Sequence, residues 1–329
     1  MERRFFMVML LILLVIFGSC MYLFTFTPLN HQILGTLGML PPTYTPTPSP
    51  TPSPTPTLTP TLPPTPTPTP KGMLPQVQAS ALYLMDLTNG RVLANVGGNQ
   101  VLPMASTAKI MTAIIALENG NQLQRIPIGQ DAFDRVHVDG ASSAGLDVGD
   151  AIPLQDLMYG LLLPSGADAA TAIADYIGGS TSGFVQIMNT YAQRLHLWHT
   201  HFVDVDGLSS GTGTLSTTTA ADLTTLARYA MNNPTFAQIV KQQYYHVPPT
   251  LYHHAYDWTS TNGLLSTYSG MIGVKTGHSD AAEYCMAFAA IRNQQYLIGS
   301  ILNSPSEEQR NQDITAVLDW GFDKVGAGH

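Results

Sequence analysis

Between Thr43 and Pro70 the chain is almost entirely Thr-Pro and Ser-Pro, and no folded core can include it. Residues 41–70 hold 14 of the 24 prolines, and residues 27–70 contain no Asp, Glu, Lys or Arg. Proline lacks a backbone N–H and fixes φ, so such a run offers neither a helix ladder nor a sheet partner. It favours extended polyproline II, at roughly 3.1 Å per residue, and could span on the order of 80 Å. We read residues 27–75 as a linker, with everything that folds on either side of it.

Upstream, Phe5–Phe26 is a 22-residue stretch without a charge, preceded by Arg3 and Arg4. About 20 apolar residues cross a bilayer as a helix, and flanking arginines keep their end in the cytoplasm. Residues 1–26 are therefore expected to be a cytoplasmic N-terminus and a single-pass anchor at the cell membrane, with the downstream domain outside the cytoplasm. The competing reading is a cleaved signal peptide, whose apolar core is ordinarily about 7 to 15 residues.

Downstream, the 259 residues from 71 onward carry 12 Lys+Arg and 21 Asp+Glu. That length suits one large domain, set at 76–326, and the acidic balance disfavours a nucleic-acid partner. Cys20 lies in the apolar run and Cys285 is the only other cysteine, so the domain has no internal disulfide.

Asn89-Gly90 between the apolar runs 81–87 and 91–96 predicts a β-hairpin. Helical spacing of apolar residues begins near Ser106 and runs to Leu117, with further helices expected at 154–163, 167–177, 183–196, 219–232 and 306–324. Strand-like runs return at 271–276, 282–291 and 295–303. Strands at both ends with helices between them predict an α/β (α+β) domain with a mixed, largely antiparallel sheet flanked by helices.

Three short elements carry chemistry. In Ser106-Thr107-Ala108-Lys109 the hydroxyl and amine are three residues apart at a helix start, within reach of each other. A lysine accepts a proton only when neutral, which burial and a second nearby cation favour. Lys275-Thr276-Gly277, on an expected strand, can supply that cation beside a glycine that leaves room for a ligand. Ser165-Gly166 sits on a turn before the helix at 167.

These elements, in this order, resemble those of the serine D-alanyl-D-alanine carboxypeptidases, the low-molecular-mass penicillin-binding proteins of bacterial cell-wall metabolism. The resemblance extends through Pro103–Ala113, Leu154–Ala170, Thr261–Leu265 and Gly273–His278, over roughly 79–325. It implies a β-lactamase-like fold with a helical subdomain. Ser106 would be the nucleophile, Lys109 its general base, and Ser165 a proton relay. Lys275 and Thr276, with Gly277 and His278, would bind the substrate, the N–H groups of Ser106 and His278 forming the oxyanion hole. The implied reaction removes terminal D-Ala from peptidoglycan stem pentapeptides, with β-lactams acylating Ser106 as inhibitors. No cofactor or metal is implied.

Two positions depart from the family pattern. Ala167 stands where Asn is usual, and Glu283 where Gly is usual. A class A β-lactamase needs a glutamate for deacylation, and none lies between Glu118 and Glu283. Gly207-Leu208-Ser209-Ser210-Gly211 matches a nucleophile elbow but runs into Thr212-Gly213-Thr214 rather than a helix. His196, His199 and His201, with Asp204 and Asp206, lack a metalloprotease arrangement. A D,D-transpeptidase with the same site and a non-catalytic peptidoglycan-binding module remain as alternatives.

Overall fold

The computed structural model describes residues 72–208 and 213–326. The expected anchor and nearly all of the linker lie outside them. Among the described residues no helix is long and apolar enough to cross a membrane.

Strands β1 (Ala81–Asp86) and β2 (Val92–Val96) form the expected hairpin. Gly90 closes its turn at φ +75, donating its N–H to Asp86 O at 2.8 Å. That left-handed conformation carries no steric cost for glycine. The remaining sheet strands are β3 (Met271–Ser279), β4 (Glu283–Arg292) and β5 (Gln295–Ser304). Their order is β2-β1-β5-β4-β3, and every pairing is antiparallel. Ala81 pairs with Leu302 and Asp86 with Leu297, so the two ends of the domain meet in the middle of the sheet.

The helices are α1 (Lys109–Asn119), α2 (Gln130–His137), α3 (Leu154–Leu162), α4 (Ala167–Gly178), α5 (Thr181–Arg194), α6 (Ala220–Met231), α7 (Pro234–Val240), α8 (Leu264–Thr267) and α9 (Glu307–Gly326). Three of them, α2, α7 and α8, were not anticipated. Nor were the two-stranded pairs Leu102–Pro103 with Thr217–Thr218, Arg125–Pro127 with Ala151–Pro153 and Tyr244–Val247 with Tyr256–Thr259.

Helices cover both faces of the sheet. Leu82, Leu84, Met286, Phe288 and Ile301 share one core with Ile314, Leu318 and Phe322 of α9. Ala81, Met85, Ala287, Ala289, Ile298 and Leu302 turn the other way, into a second core with Ile110, Ile114, Leu161 and Phe184. Successive strand residues point to opposite faces, so burial on both sides requires the continuous apolar runs seen in β4 and β5. β3 lies at the sheet edge and carries Lys275, Thr276 and Gly277.

Candidate active site

The expected helix at Ser106 starts as a tighter 3-10 turn, Ala105–Ala108, before continuing as α1. In a 3-10 turn residues i and i+3 eclipse, which stacks Lys109 directly on Ser106. Lys109 Nζ donates to Ser106 Oγ at 2.9 Å and to Asp206 O at 3.2 Å, and lies 3.5 Å from Ser142 Oγ. The Lys109 side chain is fully buried, whereas Ser106 lines a cleft of about 700 Å³.

Burial lowers the Lys109 amine to about 8; Asp206, Asp204 and Asp168 oppose the shift and Arg135 assists it. Burial is thus the main cause, and the cation that assists it is Arg135 rather than the Lys275 expected from the sequence. Lys275 is also buried, and its amine is driven well below its ordinary range by burial first, then by repulsion from Lys109 and Arg310. Its Nζ donates to Thr276 O at 3.0 Å. Three cationic groups confined together in a dry site disfavour one another's charge and favour any anion that enters.

Gly277 shows why this strand needs a glycine. A Cβ there would stand 3.1 Å from Met104 O and 3.2 Å from Ser106 N, so a side chain would push β3 and the nucleophile turn apart by a few tenths of an ångström. Ser106 N–H belongs to a first helical turn, where no preceding turn supplies an acceptor. Thr276, Gly277 and His278 all line the cleft. Thr276 Oγ1 is 2.5 Å from Thr261 Oγ1, and the His278 ring lies against Tyr284 at 4.2 Å.

Ser165 lines the same cleft at φ +69, with an Oγ that has no protein partner among the described residues. The contact that Ala167 is unable to offer Lys109 comes from elsewhere, from Asp206 O and Ser142 Oγ. Ser142 Oγ in turn donates to Ser165 O at 2.5 Å. The buried Asp168 carboxylate holds that loop in place by accepting from Ser143 Oγ, Ala144 N and Leu146 N. Charge-assisted bonds of this kind fix a loop more firmly than neutral ones.

Sequence reasoning missed Ser142, Arg135 and Arg310, all of which line the cleft. Arg310 comes from α9, its side chain almost wholly buried and paired with Glu307 at 2.9 Å. Such a cation on a distant helix has no local signature. Glu283 is exposed at φ +51, opposite Ser279, and is absent from the cleft wall. That φ suits the glycine usual there.

Residues 203–208 form a loop, so Gly207 lacks the strand that a nucleophile elbow requires; Ser209–Gly211 lie outside the described residues. Asp206, weighed as a metal ligand, is instead gripped by Arg135, and Asp204 accepts from Asp206 N and Gly207 N. His201 pairs with Thr217 in an isolated bridge.

Residues 67–306 match the model of a protein family, Peptidase S11, D-alanyl-D-alanine carboxypeptidase. The chain is 39% identical over 260 residues to the D-alanyl-D-alanine carboxypeptidase of Streptomyces sp. (strain K15), covering 75% of this chain and 88% of that one. It is 32% identical over 258 residues to the D-alanyl-D-alanine carboxypeptidase DacD of Escherichia coli (strain K12), covering 75% of this chain and 64% of the relative. The crystal structure of the Streptomyces K15 DD-transpeptidase superposes with a TM-score of 0.71 at 38% identity, covering 76% of this chain and 99% of that one.

Proposed function

Since the chain belongs to the D-alanyl-D-alanine carboxypeptidase family, Peptidase S11, we propose that it removes terminal D-Ala from peptidoglycan stem pentapeptides through an acyl-enzyme on Ser106. The observation that carries this reading is the 2.9 Å contact between Ser106 Oγ and an amine lowered to about 8. An ordinary lysine is protonated at neutral pH and makes a poor base, whereas this one is partly neutral.

In the first step Lys109 takes the Ser106 proton as Oγ attacks the penultimate D-Ala carbonyl carbon. The peptide C–N bond then breaks, and the proton passes by way of Ser165 Oγ to the departing amine of D-Ala. The N–H groups of Ser106 and His278 receive the oxyanion. Thr276 and Arg310 face the terminal carboxylate, with Lys275 buried beside them. Water attacks the resulting ester, giving up its proton to Lys109; the acyl bond to Ser106 Oγ breaks, Lys109 returns the proton to that oxygen, and the shortened peptide leaves as a carboxylate. A β-lactam presents the same acyl–nitrogen bond and carboxylate, and acylates Ser106. The apolar run at 5–26 would tether the domain to the outer side of the membrane, with the Thr/Pro linker as its spacer.

A second reading is transfer of the acyl group to an amine, favoured by the likeness to a structure named as a DD-transpeptidase. The two share Ser106 and Lys109 and differ only in what reaches the ester. The deciding experiment incubates the full chain with a diacetyl-Lys-D-Ala-D-Ala peptide, with and without an amine acceptor, and follows both D-Ala and the acyl product. Hydrolysis supports the carboxypeptidase, and aminolysis at the expense of hydrolysis the transpeptidase. A folded chain that releases no D-Ala and takes no fluorescent penicillin is a non-catalytic wall-binding module.

Two further outcomes are expected. Acylation needs the neutral amine, so its rate should rise with pH through about 8 and level off above, as read from penicillin labelling. Arg310→Gln should raise KM for the peptide about tenfold with a smaller loss in kcat, because it weakens carboxylate binding before the chemistry.

A further inference from the structure

Arg135 lies outside every motif described above, yet it lines the cleft. Its Nε and Nη2 each donate to the Asp206 carboxylate at 2.8 Å, and Nη1 reaches Asp139 at 3.0 Å. Nη2 also bonds Leu208 O. The Asp206 side chain is completely buried and accepts a further bond from Leu208 N at 2.9 Å. The main-chain oxygen of this same residue accepts Lys109 Nζ. On either side of it the loop is keyed to the nucleophile helix: Val205 O accepts from Thr112 Oγ1 at 2.6 Å, and Gly207 lies against Ala105 O.

Resting on the proposed Ser106–Lys109 chemistry, we propose that Arg135 is a positioning residue. It clamps Asp206 so that the Asp206 main-chain oxygen holds the Lys109 amine on Ser106, and its charge offsets the carboxylates that would otherwise keep that amine protonated. Lys109 is faced by Asp206 and Asp204 from the loop, Asp168 from α4, Arg135 from α2 and Lys275 from β3. The three acids favour the ammonium, and Arg135 favours the amine. Asp204, raised to about 6 by burial and by Asp206, is ionised across the range in which Lys109 titrates. A bidentate guanidinium is suited to both tasks, fixing a carboxylate in plane while neutralising it.

The test measures the rate of fluorescent-penicillin acylation of the full chain between about pH 5.5 and 10. Arg135→Gln should move the rising limb up by about one pH unit, so that labelling at pH 7 falls about tenfold or more and recovers at high pH only to a lowered plateau, since Gln also lacks the fork. Asp206→Asn keeps the main-chain oxygen and removes a carboxylate, so its limb should move down. Arg135→Lys keeps the charge without the fork; its limb should stay near that of the parent while the plateau drops. Limbs that stay in place in the first two variants, limbs that move the same way, or a loss equal at every pH would overturn the proposal. Where Arg135→Gln fails to give a cooperative melt, Asp206→Asn decides alone, and an unchanged or raised limb overturns it. A parent chain that takes no label at all overturns the proposed function itself.

Discussion

Lys109→Met should slow acylation of Ser106 by about a thousandfold or more while leaving the fold about as stable as the parent. General-base assistance is worth roughly two to four orders of magnitude, and Met has no group to take the Ser106 proton. The stability half of the expectation comes from burial. Lys109 is fully buried and its amine is lowered to about 8, so holding it charged at neutral pH costs on the order of 3 kcal/mol. Folding lowers this pKa, so the unfolded chain binds the extra proton and the penalty fades as pH rises from about 8 toward the ordinary lysine range. Met is close to Lys in volume and carries no charge, but it leaves Asp206 O without a donor, a loss of about 1 to 3 kcal/mol. The two effects nearly cancel. Denaturant midpoints and penicillin labelling on the same preparations check both halves; a variant that labels at near the parental rate would remove Lys109 from the chemistry.

That contrast between a motif and its surroundings runs through the molecule. The Ser106–Lys109 pair was legible because a three-residue spacing in one helical turn brings the two side chains within reach of each other. The hairpin at Asn89-Gly90 was legible for the same reason, since its turn chemistry is local. That strands from both ends of the domain share one sheet followed from the apolar runs there, whereas the neighbour of β1 in that sheet did not. What supports Lys109 was not legible. Asp206 presents a main-chain oxygen, which any residue type has, and it attracted notice only as a neighbour of three histidines. Arg135 rides on an eight-residue helix with a single buried residue, Ala132, too short to show a period. Arg310 reaches the cleft from a helix close to the chain's end. In each case the function resides in a contact made by packing, and no pattern in the local sequence encodes it. The missing Asn at 167 illustrates the limit from the other side: read alone, Ala167 suggests a weakened site, whereas Asp206 O and Ser142 supply the lysine with acceptors.

Gly207→Ala should be the most damaging single methyl in the loop, lowering stability by about 3 kcal/mol or more and acylation by about a hundredfold. Gly207 sits at φ +82, where a Cβ costs about 1 kcal/mol before any contact is counted. Here the added carbon would fall 1.7 Å from Ala105 O, a backbone atom with no side-chain freedom to yield. Only two movements relieve the overlap. If the loop withdraws, Asp206 O leaves the Lys109 amine; if the 3-10 turn shifts, Ser106 leaves the floor of the cleft. Either way the proton-transfer geometry is lost together with stability. Gly145→Ala separates the two costs, because Gly145 has a similar φ of +73 but open space around its missing Cβ. That variant should lose about 1 kcal/mol and keep most of its labelling rate. Equal denaturant midpoints for the two variants would mean that the loop does not press on the nucleophile turn, and the contact through which Asp206 holds Lys109 in register would then have to be sought elsewhere.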